Sequence, residues 1–252
     1  MFISKCGGTG KSYFINVLDY YIETHFQKHT AKTAPTGVAA LNINGVTLHK
    51  LLQLPVQHRR TPKYYELNDM VLHTIRRGLK DVALIVIEEI SIVSNIMLLY
   101  IHYRLTEIFE TTNEPDGWFE GKNIIALGNL MQLPPVMDDP SFIQIAEDKI
   151  KQHTAALHAT NIWQNTFSFD ELSVNQRQNK DPVFANILNN IRIGRITAEQ
   201  SALLASRMIL TNTRQLQVDE IVKRIEELPA NTVCIFPKRE MCALITKKCW
   251  RH

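Results

Sequence analysis

The chain has 252 residues, 45% of them hydrophobic and 21% charged, with a formal net charge of +3. This balance supplies an ample core, allows one large domain or two small ones, and permits a nucleic-acid partner without demonstrating one. The four cysteines (Cys6, Cys234, Cys242, Cys249) contain no C-x-x-C pair, the histidines lack metal-ligand spacing, and apolar runs such as 82–87 are far too short to span a bilayer. Met1-Phe2-Ile3 is not a signal peptide, so the expectation is an intracellular, reducing compartment and no membrane partner.

Phe2-Ile3 reads as a short strand. Residues 13–26 read as a helix, with Phe14, Val17, Leu18, Tyr21, Ile22 and Phe26 expected on its buried face. Between them lies Gly7-Gly8-Thr9-Gly10-Lys11-Ser12. Its glycines let backbone N–H groups turn toward an oligophosphate, Lys11 adds a point charge, and Ser12 offers a hydroxyl to Mg²⁺. A Gly-rich turn before an amphipathic helix is the bland alternative. The strand–loop–helix context favours a nucleotide phosphate loop, although the full G-x-x-x-x-G-K-[ST] pattern would put a glycine at Lys5.

Residues 31–34 predict a strand ending at Pro35-Thr36-Gly37, 46–52 a helix, 53–63 a loop and 66–79 a helix. Residues 82–87 form a continuous apolar run, as in a strand buried on both faces, and end in Glu88 and Glu89. In a phosphate-loop enzyme the strand beside the loop strand ends in an acid that holds Mg²⁺, and a neighbouring acid positions or deprotonates the attacking water. Glu88 takes the metal role here and Glu89 the base role. A helix over 95–109 and a loop over 111–121 precede a second buried strand, 123–127, closed by Gly128 and Leu133-Pro134-Pro135. A polar amide just past that strand can reach a γ-phosphate, although Gly-Asn and Pro-Pro also merely mark turns.

Strands alternating with helices predict an α/β fold with a parallel, doubly wound sheet. Beyond about residue 170 the character changes. Helices are expected over 182–193, 198–207 and 215–227, then a strand over 232–236 and a helix over 239–247. The chain thus divides into 1–170 and 171–252, the latter an incomplete start of a second domain.

The order of stations resembles the Pif-family DNA helicases of superfamily one, a group that includes Helitron helicases. The resemblance is carried by the phosphate loop, Ala34-Pro35-Thr36-Gly37-Val38-Ala39-Ala40, Thr47-Leu48-His49, Ile87-Glu88-Glu89-Ile90-Ser91, Leu130-Met131-Gln132-Leu133-Pro134-Pro135 and Leu172-Ser173-Val174-Asn175-Gln176-Arg177-Gln178. It implies an ATP-driven motor moving 5′ to 3′ on single-stranded DNA, built from two RecA-like domains with ATP between them. Lys11 and Ser12 then bind phosphates and Mg²⁺, Glu89 is the catalytic acid and Gln132 contacts the γ-phosphate. Arg177 is similar to the arginine that the second domain's edge presents to that phosphate.

Thr36, Gly37 and His49 lie in segments that contact single-stranded DNA in the family, where a Thr-Gly turn offers donors and His can stack. By themselves those residues read as a structural turn. For a eukaryotic source the resemblance implies the nucleus or the mitochondrion, and it leaves telomere upkeep, repair, recombination and transposition open.

Four departures from the family stand out: Lys5 for Gly, Glu88 for Asp, Asn129 for Asp, and an ending just after the expected second-domain strand. The position of the loop near Met1 also leaves no upstream segment for adenine. Two expectations therefore stand side by side: an active helicase, or a truncated, catalytically impaired remnant that holds nucleotide and DNA. A partner supplying the rest of the second domain is a further expectation.

Overall fold

The computed structural model describes residues 1–5, 7–56, 62–109, 117–153, 161–207, 218–229, 231–236 and 238–249. Cys6 and parts of the expected 53–63 loop, 111–121 loop and 215–227 helix lie outside them. In chain order the elements are β1 (Phe2–Lys5), α1 (Lys11–Phe26), β2 (His29–Ala34), α2 (Gly37–Asn42), β3 (Val46–Thr47), α3 (Leu48–Leu52) and α4 (Asp69–Leu79). There follow β4 (Val82–Glu88), α5 (Asn95–Phe109), β5 (Asn123–Gly128), α6 (Glu147–His153), α7 (Ile162–Thr166), β6 (Phe169–Leu172), α8 (Pro182–Arg192), α9 (Ala198–Ser206), α10 (Val218–Glu226) and α11 (Arg239–Cys249). No described helix is long and apolar enough to cross a membrane.

The six strands form one sheet in the order β3-β2-β4-β5-β1-β6, with every pairing parallel. β4 explains why such a sheet needs cover on both faces. Its Leu84 and Val86 pack with Ile3, Leu127, Ile15 and Ile22 on one side, whereas Ile85 and Ile87 pack with Ile101, Leu105 and Leu48 on the other. Alternate residues of a strand point to opposite faces, so a continuous apolar run is what a doubly covered strand requires.

Several expectations change. On α1 the buried residues are Ile15 and Ile22, with Phe14 and Leu18 against the same cluster, while Val17, Tyr21 and Phe26 are exposed. The apolar stripe is wider than the sheet can cover, and the covered face is rotated toward Ile15. Val46-Thr47 is strand rather than helix: it pairs with Thr33-Ala34, and Thr47 then caps α3 by accepting from the Lys50 N–H at 3.2 Å. Residues 232–236 form no strand, and Val233 and Ile235 are exposed. β6 is an additional strand whose residues pair with all of β1, from Phe2↔Phe169 to Lys5↔Leu172.

Two compact units result, Met1–Ile196 and Thr197–His252. The first contains the whole sheet. The second holds α9, opened by a capping box of Thr197 and Gln200, and a small cluster of Ile221, Val222 and Ile245 from α10 and α11.

One buried polar knot ties α5 to the segment between α3 and α4. Arg104, fully buried, donates to Glu107 at 2.5 Å, to the Tyr65 carbonyl at 3.1 Å and to the Gln53 carbonyl at 3.3 Å. Glu107 also accepts from the Tyr64 hydroxyl at 2.6 Å and the Leu67 N–H at 2.5 Å.

Candidate active site

The loop after β1 turns through two glycines in the left-handed region, Gly8 (φ +86°) and Gly10 (φ +82°), a conformation a Cβ makes costly. Gly10 is the N-cap of α1 and offers no side chain to it, so the positive end of the helix faces the loop. Ser12 is exposed on the first turn of α1.

Glu88, the last residue of β4, is buried. Glu89 follows with a left-handed backbone (φ +56°) and opens a 3-10 turn, Ile90–Ile92. Lys11 Nζ donates to Glu88 Oε1 at 2.5 Å and to Glu89 Oε1 at 2.9 Å. Burial works against the Lys11 ammonium, but the two carboxylates outweigh it and hold the group above the ordinary lysine value.

The expectation that the strand carrying these acids lies beside β1 is corrected by the sheet order: β5 lies between them. Register keeps the acids level with the loop, since Glu88 pairs with Leu127 and Ser4 pairs with Gly128. Two strand spacings amount to about 10 Å. The reach of Lys11 and the longer arm of glutamate close that gap.

Gly128 ends β5 against the acid-bearing turn. A Cβ on it would lie 2.7 Å from Ile90 Cγ2 and 3.0 Å from the Ile90 nitrogen. The buried Asn129 then forms a tight turn: its Oδ1 accepts from the Met131 N–H at 3.1 Å and its carbonyl accepts from the Gln132 N–H at 2.9 Å. Gln132 lines two cavities. It shares one, of about 600 Å³, with Glu89, and another, of about 580 Å³, with Gly7 and Arg177.

Arg177 lies in the same compact unit as the loop, not on a separate domain's edge. The Gln176 and Arg177 N–H groups donate to the Gly8 carbonyl at 2.8 and 3.2 Å. Lys11, Glu88, Glu89, Gln132 and Arg177 are thus gathered around one loop at the carboxyl ends of β1, β4, β5 and β6. Ser12 and Glu88, the residues expected to hold Mg²⁺, carry the hard oxygen donors that this ion takes together with a nucleotide's phosphates.

Thr36, Gly37 and His49 are not part of this gathering. They follow β2 and β3, at the other flank of the sheet, though still at the carboxyl ends of strands where open α/β sheets take ligands. Thr36 caps α2, its Oγ1 accepting from the Ala39 N–H at 3.3 Å, and Gly37 is the first residue of that helix. His49 lines a cavity of about 630 Å³ with Tyr100, Met137 and Asp138, and burial pushes its imidazole below the ordinary histidine value. Asn175, whose side chain organises the turn that bears Arg177, carries no expectation from the sequence beyond membership of a motif. An Asn two residues before an arginine is a weak local sign of a turn.

A parallel sheet of this order, with a phosphate-loop motif after β1 and paired acids two strands away, defines a RecA-like fold. The model of the PIF1-like helicase family matches residues 1–202, and the chain belongs to that family. The ATP-dependent DNA helicase PIF1 of Candida albicans is 28% identical over 206 residues, covering 78% of this chain and 21% of that protein. The ATP-dependent DNA helicase PIF7 of Trypanosoma brucei brucei is 27% identical over 237 residues, 93% of this chain and 22% of that protein.

Among solved structures, Bacteroides Pif1 bound to ssDNA matches with a TM-score of 0.61 and 27% identity, over 89% of this chain and 52% of that one. Bacteroides sp Pif1 in complex with ADP-AlF4 matches with a TM-score of 0.59 and 30% identity, over 81% and 45%. The chain therefore spans about a fifth of the length of these two helicases and about half of each solved chain.

Proposed function

We propose that this chain carries the nucleotide site of an ATP-dependent DNA helicase, in which ATP hydrolysis drives movement 5′ to 3′ along single-stranded DNA. The observation that carries the reading is the Lys11 ammonium bridging Glu88 and Glu89 across an intervening strand, with Gln132 and Arg177 facing the same loop. That the related Pif1 proteins are described bound to ssDNA and to ADP-AlF4 supports it.

On this reading the β- and γ-phosphates of ATP compete with the two carboxylates for Lys11 and release them. Backbone N–H groups of the loop and the N-terminus of α1 hold the phosphates. Ser12 and Glu88 would hold Mg²⁺, which would supply neutralising charge to the phosphate oxygens. Glu89 orients a water in line with the γ-phosphorus and takes its proton as the bond to the β–γ bridging oxygen breaks, giving ADP and inorganic phosphate. Lys11 and Arg177 stabilise the charge on the transferring group, and Gln132 registers its loss. Thr36, Gly37 and His49 contact single-stranded DNA. Residues 171–252 contain the start of a second RecA-like domain, and in a eukaryotic cell the site of action is the nucleus or the mitochondrion.

The test is ATP turnover by the purified chain with and without single-stranded DNA, beside Lys11→Ala. DNA-stimulated turnover that Lys11→Ala abolishes is the expected result. Nucleotide binding without turnover would sink the motor reading and leave a nucleotide- and DNA-binding module.

A further inference from the structure

We propose that Asn175 is a positioning residue that fixes Arg177 against the phosphate loop, so that the guanidinium distinguishes a nucleoside triphosphate from a diphosphate. The inference rests on the nucleotide reading above and adds to it a residue and a selectivity.

The geometry begins with one side-chain oxygen. Asn175 Oδ1 accepts from the Arg177 N–H at 3.0 Å and from the Gln178 N–H at 3.1 Å, closing a tight turn around the arginine. The outside of that turn is fastened to the loop, where the Gly8 carbonyl accepts from the Gln176 and Arg177 N–H groups at 2.8 and 3.2 Å. There is no slack between the two. A Cβ on Gly8 would overlap the Arg177 Cβ and stand 2.8 Å from Asn175 Oδ1.

The far side is equally held. The Gln178 carbonyl accepts from the Asp181 N–H at 3.0 Å, and Asp181 caps α8 by accepting from the Phe184 N–H at 2.9 Å. Arg177 is therefore mounted between the loop and a helix, with a single amide oxygen setting the turn.

The mount points to a function because of what it faces. Arg177 lines the cavity that also takes in Gly7 and Gln132, and no aspartate or glutamate lines it among the described residues. An anion next to the loop meets Arg177 there, with Arg192 of α8 lining the same cavity, and no competing carboxylate, whereas Lys11 is already shared between two acids. A γ-phosphate is the anion that a triphosphate adds and a diphosphate lacks. Backbone fastening to the loop fixes where the Arg177 side chain leaves the main chain before nucleotide arrives, which limits the positions its guanidinium can take. Asparagine suits the task because aspartate would accept the same N–H groups while placing a negative charge beside the phosphates.

The experiment measures AMP-PNP and ADP affinities by titration calorimetry for the wild-type chain, Asn175→Ala, Arg177→Ala, the double variant, Asn175→Ser and Lys11→Ala. Wild type should prefer AMP-PNP. Asn175→Ala and Arg177→Ala should each cut that preference by about tenfold, the scale of a lost hydrogen bond to a charged group, while ADP affinity stays within about twofold. The double variant should lose no more than either single one, since both act through one guanidinium. Asn175→Ser, which keeps a weaker acceptor, should recover part of the preference.

A merely structural Asn175 would lower the melting temperature and weaken both nucleotides alike. That result, additive losses in the double variant, or an Asn175→Ala protein with the full preference would each overturn the proposal. Lys11→Ala should weaken both nucleotides. If ADP binds the wild-type chain but Lys11→Ala leaves its affinity unchanged, the nucleotide reading fails. If wild type binds neither nucleotide, both readings fail together.

Discussion

Gly8 carries two burdens at once. Its φ of +86° is costly for any other residue, by about 1–2 kcal/mol, and its missing Cβ is the space that the Arg177 turn occupies. Gly8→Ala should therefore lower ATP turnover, on the proposed function, by at least about tenfold with only modest loss of stability, since what it displaces is the turn that carries Arg177 rather than core. Steady-state kinetics beside a thermal melt check this. His102 reports on pH. Burial pushes its imidazole below the ordinary value of 6.5, with Glu120 pulling the other way, and its Nδ1 accepts from the Phe119 N–H at 3.2 Å. A depressed folded value means that the stabilisation is complete above pH 6.5 and is lost as the pH falls through the folded value. His49 shifts in the same direction. Melting temperatures taken from pH 8 down to about 5 should fall in the acid range, and His102→Gln should flatten that slope.

At the scale of elements, helix α5 depends on the Arg104 knot, and strand β5 depends on its terminal glycine. Removing one partner of a buried ion pair leaves the other charge uncompensated, a cost of about 3–5 kcal/mol. Arg104→Ala should show a loss of that order in urea denaturation, because Glu107 loses its cationic partner, keeping the Tyr64 hydroxyl and the Leu67 N–H, while the Tyr65 and Gln53 carbonyls lose the Arg104 donor. Gly128→Ala acts differently. Its new methyl group presses on Ile90 in the turn that follows Glu89, so the expected outcome is slower hydrolysis with ADP affinity retained. Equal losses in both would show that the turn is not what moved.

At the scale of the whole molecule, every strand among the described residues and the main cores fall within Met1–Ile196, and the cluster of Ile221, Val222 and Ile245 belongs to Thr197–His252. A chain ending at Ile196 should unfold cooperatively and bind ADP as the full chain does. Circular dichroism and calorimetry decide it. Much of this organisation is local and was readable from residues alone. The loop needs glycines at positive φ and a strand–helix context, and β4 needs a continuous apolar run, all of which adjacent residues declare. The four residues of β6 declare nothing, since Phe169, Asp170 and Glu171 are exposed and carry no strand alternation. The run 232–236 errs the other way. It has the apolar, β-branched content of a strand, yet it pairs with none in the structure, and strand propensity needs a partner to express itself.

The amino-acid order by itself determined the phosphate loop, the paired acids, the α/β alternation and the family, because each rests on neighbouring residues or on motifs in series. Only the tertiary structure decided that β5 stands between β1 and β4, that Lys11 spans that gap to both acids, and that Arg177 is fastened to the carbonyl of Gly8. The physical reason is separation along the chain. Lys11 and Glu88 are 77 positions apart, and strand order depends on the summed burial of both faces of the sheet, to which no single segment holds the key.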